Sequence, residues 1–133
     1  MIYLIDTNIG IYVMEKRPAR VFRRLEACEL GDVGVSAITV SELQYGVSKS
    51  EHRERNEQRL REFLMPFEVL PYDERAAQCY GDVRSDLERR GGVIGPLDLL
   101  IAAHALSRDL VLVTNRTREF GRVEGLRIEN WVE

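Results

Sequence analysis

Residues 1–10 read MIYLIDTNIG, and the step from Ile5 to Asp6 decides how the chain is organised. The apolar residues Ile2, Tyr3, Leu4 and Ile5 end abruptly on a carboxylate, which Thr7 and Asn8 follow. A short apolar run without polar alternation, closed by turn-forming residues, is the pattern of a parallel strand buried on both faces. Asp6 then stands where that strand leaves the sheet, at its carboxyl end.

The pattern recurs. Val33–Val35, Phe67–Leu70 and Leu110–Val113 are predicted strands, and the last is uniformly apolar, as a central parallel strand requires. Between them periodicity predicts helices over Ile9–Met14, Pro18–Cys28, Ile38–Val47, Arg53–Leu64, Glu74–Arg90 and Leu97–Ser107. Ala76, Tyr80, Val83 and Leu87 form one stripe, and Gly91-Gly92 supplies a C-terminal stop. Arg53–Leu64 carries only a narrow stripe of Leu60, Phe63 and Leu64 on a charged background, which predicts a surface helix. Strands alternating with helices predict an α/β domain with a mostly parallel sheet. Ligands gather at the carboxyl ends of strands in such sheets.

Composition sets the outer limits. A chain of 133 residues, 44% apolar and 31% charged, suits one domain over 1–133 whose core needs neither disulfide nor metal. Cys28 and Cys79 have no zinc-binding spacing. No apolar run approaches the roughly 20 residues of a membrane span, and no basic leader precedes the first strand, so a cytoplasmic protein without a membrane partner is expected. A net charge of −3 does not advertise a nucleic-acid partner. The cations are nearly all arginine, Lys16 and Lys49 being the only lysines, and arginine suits bidentate contact with phosphate.

Three more acids sit at element ends. Ser36 is a predicted N-cap, and the helix after it carries Glu42 in its early turns, near Thr39, Leu43 and Val47. Gly95-Pro96 opens a helix that is apolar almost all round, and Asp98 is the only acid in it. In VLVTNRTREFGRV, Glu119 follows the exit of the last strand. Singly, Asp6 reads as an N-cap, Glu42 as a surface charge and Asp98 as compensation of a helix dipole. Convergence changes the reading: two carboxylates ~4 Å apart repel by roughly 4 kcal/mol at an effective dielectric near 20. Such a cluster takes up protons or a cation, and an all-oxygen donor set suits Mg²⁺ or Mn²⁺. A carboxylate-held divalent ion orients a nucleophilic water and neutralises phosphate charge.

Other polar residues read more plainly. His104, six residues after Asp98, falls on a nearly opposite helix face and is expected in the core or an interface. His52 is expected in solvent. Arg116 either pairs with Glu119 at i,i+3 spacing or, like Arg118, holds a phosphate. Arg20, Arg23 and Arg24 are expected on a solvated helix face. Ile9, Tyr12 and Val13, with Val21, Phe22 and Leu25, are core residues by default and could otherwise wall a groove.

The ordered segments LIDTN, ITVSELQYG, IGPLDLLIAAHAL, VLVTNRTREF and VEGLRIENW resemble the PIN-domain ribonucleases, and within them the VapC toxins of bacterial toxin–antitoxin pairs. The likeness runs over nearly the whole chain and implies a PIN-like three-layer α/β/α sandwich. Asp6, Glu42 and Asp98 match the family's three acidic metal ligands. Glu119 matches a fourth acid, one methylene longer than the usual Asp. The likeness further implies that Asn115 lies beside it and that Thr7 and Asn8 support Asp6 through hydrogen bonds. Gly10 stands where relatives commonly carry a large aliphatic residue. The implied activity is a Mg²⁺- or Mn²⁺-dependent endoribonuclease using metal-activated water. It would form a homodimer, and a cognate antitoxin would lay its tail across the active-site groove. The rival readings are an aspartyl-phosphate-type phosphatase, in which a second acid usually stands where Asn8 is, and a non-catalytic PIN-like binding module.

Overall fold

Burial on both faces makes the strands, short as they are. The computed structural model describes residues 1–133, in the order β1 (Tyr3–Ile5), α1 (Thr7–Glu15), α2 (Ala19–Glu26), β2 (Val33–Ser36), α3 (Ala37–Ser48) and α4 (Arg53–Leu64). There follow β3 (Glu68–Leu70), α5 (Glu74–Arg89), α6 (Pro96–Ser107), β4 (Val111–Val113), α7 (Thr117–Phe120) and β5 (Ile128–Glu129). The five strands form one sheet in the order β3-β2-β1-β4-β5, and each pairing is parallel. The expectation of a mostly parallel sheet thus holds throughout.

Alternation along β1 and β4 splits the interior into two cores. Leu4 and Leu112 face a cluster with Leu87, Leu99, Ile101 and Phe120, from α5, α6 and α7. Ile5 and Val113 face a second with Ile9, Val21, Leu43 and Phe63, from α1 to α4. Helices therefore cover both faces, and the fold is the three-layer α/β/α sandwich that the resemblance implies. The chain leaves β1 toward β2 and β3, then returns to β4 on the other side. That topological switch lies at the carboxyl ends of β1 and β4, where open α/β sheets form ligand crevices.

Element ends differ from expectation for local reasons. Pro18 precedes α2 instead of starting it, and its extended backbone serves as the N-cap. Strand β5 has no apolar run to announce it; Ile128 and Glu129 are half-buried, and only pairing with Leu112 and Val113 defines them. His104 is fully buried, and its Nδ1 lies 2.7 Å from the Ser36 hydroxyl, which also accepts the Ile38 N–H that starts α3. Burial holds the imidazole below its ordinary pKa, so it is a neutral core residue joining α6 to β2.

Gly10 sits in the first turns of α1, buried against α4. A Cβ there would lie 3.4 Å from Phe63 Cζ and 3.8 Å from Leu43 Cδ1, ordinary contact distances, so the site has room for one methyl group. Gly10→Ala is expected to raise stability by up to about 1 kcal/mol through helix propensity, whereas Gly10→Leu lowers it by overpacking. Thermal and urea unfolding of the two variants check the pair of signs.

Candidate active site

The register of β1 and β4 builds the site. Ile5 pairs with Val113, and the Asp6 N–H donates to the Val113 carbonyl at 3.0 Å, so Asp6 and Thr114 leave the sheet side by side. Both are buried, Asp6 at 3% exposure. The Asp6 carboxylate caps α1 by accepting the Ile9 N–H at 2.9 Å. It is thus both the helix cap of the plainest reading and the deepest acid of the cluster.

The other three acids come from helices ending around this point. Glu42 lies on α3, and its carboxylate accepts the Thr7 hydroxyl at 2.6 Å. Asp98 lies in the first turn of α6, its side chain 14% exposed, and Glu119 lies on α7. Arg116 enters between them. Its Nη1 is 3.0 Å from Asp98, and its Nε is 3.9 Å from Glu119. The i,i+3 pair, one of the two readings the sequence left open, is therefore the weaker of its two contacts.

Two supporting residues stand elsewhere than expected. Thr7 hydrogen-bonds Glu42 instead of Asp6, because the first turn of α1 carries its hydroxyl toward α3, within 3.3 Å of Thr39. Asn8 makes no hydrogen bond to Asp6 and lines a cleft between α1 and α3. Asp6 is supported instead by the Ile9 N–H and by Thr114, which sequence reasoning missed because only strand register reveals it. Asn115 donates to the Tyr12 hydroxyl at 3.1 Å, while its buried Oδ1 has no partner.

The cluster is electrostatically costly. Burial raises the Asp6 pKa from 3.8 to about 6, with Thr114 and the Ile9 N–H opposing the rise and the charge of Asp98 adding to it. Asp98 is also raised, first by burial; Arg116 opposes this, and Glu42 and Glu119 reinforce it. These couplings show that folding gathers the carboxylates into one electrostatic neighbourhood. An all-oxygen, net-negative donor set of this kind fits a hard divalent cation. No three acid, His or Cys side chains converge closely enough, as they stand, to enclose one. Arg116 is the cation that Asp98 and Glu119 have here. The donors fit a divalent ion by chemistry and location, with Arg116 standing among them as an internal counter-ion.

The class follows from this geometry: a parallel α/β sandwich with acids gathered at the switch point of its sheet. The PIN domain family model matches residues 3–126, and the chain belongs to the PIN-domain family. Among curated relatives, the chain is 45% identical over 130 residues to ribonuclease VapC2 of Haemophilus influenzae, with 98% of each chain covered. It is 44% identical over 129 residues to the tRNA(fMet)-specific endonuclease VapC of Shigella flexneri, covering 97% of each. Among solved structures, DNA-bound VapBC from Salmonella typhimurium superposes with a TM-score of 0.93 at 41% identity, over 98% of each chain.

The raised pKa of Asp6 makes stability fall with rising pH. The folded state holds this proton up to about pH 6 and the unfolded chain only to 3.8, so ionisation between these values costs the fold about 3 kcal/mol. With divalent ions chelated, Asp6→Asn is expected to stabilise the protein by up to that amount at pH 7.5, Asn being a competent N-cap. The gain should vanish near pH 4. Urea unfolding of both proteins at the two pH values checks this, and the contribution of His104 cancels in the difference.

Proposed function

We propose that this chain is a divalent-metal-dependent endoribonuclease, and that it is the toxin of a toxin–antitoxin pair. The observation that carries the reading is the coupled group of acids at the switch point, with buried Asp6 at its base. Full-length relatives named as ribonucleases and as a tRNA(fMet)-specific endonuclease support the substrate class. Asp6, Glu42 and Asp98 would hold Mg²⁺ or Mn²⁺, with Glu119 assisting from its longer side chain. When bound, that ion supplies charge neutralisation at the scissile phosphate and activation of the attacking water.

The remaining work falls to the chain itself. Ile9 N–H and Thr114 hold the Asp6 carboxylate in one orientation, and the Thr7 hydroxyl does the same for Glu42. Arg116, 42% exposed and 3.0 Å from Asp98, is the cation placed beside the acids to meet an RNA phosphate. No side chain acts as nucleophile. Asp6 is a poor phosphoryl acceptor, since it is buried and engaged in capping α1.

Further proposals are a single nuclease domain over 1–133, a cytoplasmic location with the RNA, a homodimer, and a cognate antitoxin. VapBC complexes among the structural matches support the antitoxin. Of the expected groove wall, Ile9, Val13 and Val21 are core residues. Val13, Phe22 and Leu25 do line a cleft of about 290 Å³ with Phe63 and Phe67. No helix is long and apolar enough to cross a membrane.

Asp98→Asn is expected to lower RNA cleavage at least 100-fold while leaving the fold intact. Mg²⁺ or Mn²⁺ should raise the Tm of the unsubstituted protein and leave that of Asp98→Asn nearly unchanged. An equal metal effect on both proteins, or wild-type cleavage by the variant, counts decisively against the assignment. Metal affinity without cleavage would favour the binding-module reading.

A further inference from the structure

Beside the acid centre, a cleft of about 450 Å³ runs between α1, α3 and α4. Thr7 and Glu42 belong to its wall, so it adjoins the acid centre on its Glu42 side. From Glu42 one face of α3 continues through Tyr45 and Gly46 to Lys49, positions i, i+3, i+4 and i+7, about 10 Å along the helix. Tyr45 is 66% exposed, with Lys49 Nζ 4.8 Å from its ring centroid. Arg59 reaches the cleft from α4, and the eight ion pairs of the molecule include neither cation. Glu15 is the one acid of the wall outside the candidate centre. An exposed ring and unpaired cations, leading away from a phosphodiester-cutting centre, are what a single RNA strand needs: a stacking platform and charges for its backbone.

We infer that this cleft seats the RNA nucleotide next to the cleaved bond, its base against Tyr45 and its phosphate toward Lys49 and Arg59. The inference rests on the nuclease reading and adds to it the path of the strand. Asn8, whose side chain makes no hydrogen bond inside the protein, offers an amide to that nucleotide from the α1 side. Gly46 keeps the cleft open: a Cβ there would meet nothing within 4 Å.

Gly46 also gives a clean test. Gly46→Leu fills the cleft from a position with no packing to disturb, and helix propensity favours the change. In the Asp98→Asn background, which binds without cutting, a labelled single-stranded RNA of about ten nucleotides is titrated by fluorescence anisotropy. Tyr45→Ala and Gly46→Leu are expected to weaken binding about tenfold or more, at unchanged or higher Tm for Gly46→Leu. Tyr45→Phe should bind as the background does. Lys49→Gln and Arg59→Gln should each reduce the slope of log affinity against log salt by about 0.7. Affinity within twofold of background for both Tyr45→Ala and Gly46→Leu, while the unsubstituted protein still cuts RNA, overturns the inference and leaves the nuclease reading standing. Unchanged RNA affinity with weakened antitoxin binding assigns the cleft to a protein and also overturns it. If the unsubstituted protein neither binds nor cuts RNA, the nuclease reading falls and this inference falls with it.

Discussion

The functional end of the molecule depends on one constraint: a carboxylate held almost out of water at the carboxyl end of the central strand. Asp6 cannot move toward solvent without breaking the cap of α1, and cannot lose its charge near pH 7 without a pKa well above its own. The domain accepts that cost because β1 is the middle of the sheet. Ile5 and Leu4 serve opposite cores, so the strand is fixed from both sides and Asp6 with it. Asp98, Glu42 and Glu119 add negative charge around a residue that cannot retreat. Arg116 offsets part of this from a half-exposed position.

How much of this was legible depended on whether the signal was local. Asp6 could be placed because an apolar run breaks on a carboxylate, and Asp98 because it is the only acid in an apolar helix. Six of the seven helices and four of the five strands carry their own periodicity, caps or turns. β5 does not; its two residues become a strand only beside β4. Side-chain partners were the least legible part. Thr114 supports Asp6 because Ile5 and Val113 share a register, and no local pattern records which strands are neighbours. Thr7 belongs to Glu42, and Arg116 chiefly to Asp98, through contacts across 35 and 18 positions of the chain. Chemistry-bearing residues were thus readable, and the wiring between them was not.

The same distinction explains the two roles of small residues here. Gly10 and Gly46 look alike in sequence, each a glycine inside a helix that it weakens. Gly10 faces Phe63 and lets α1 settle on α4, whereas Gly46 faces open space. One serves packing, and the other leaves a surface uncovered.

Trp131 has a consequence for the order in which the protein comes into being. Its indole is 1% exposed within the core of α1 to α4, edge-on to Tyr3 with ring centroids 5.2 Å apart. The strand that flanks Asp6, β4, likewise comes from beyond residue 110. A chain emerging from the ribosome amino end first therefore displays Asp6 and Glu42 long before either has its surroundings, and the core of α1 to α4 closes only once Trp131 has emerged. The acid centre is therefore completed late, by segments distant in the chain.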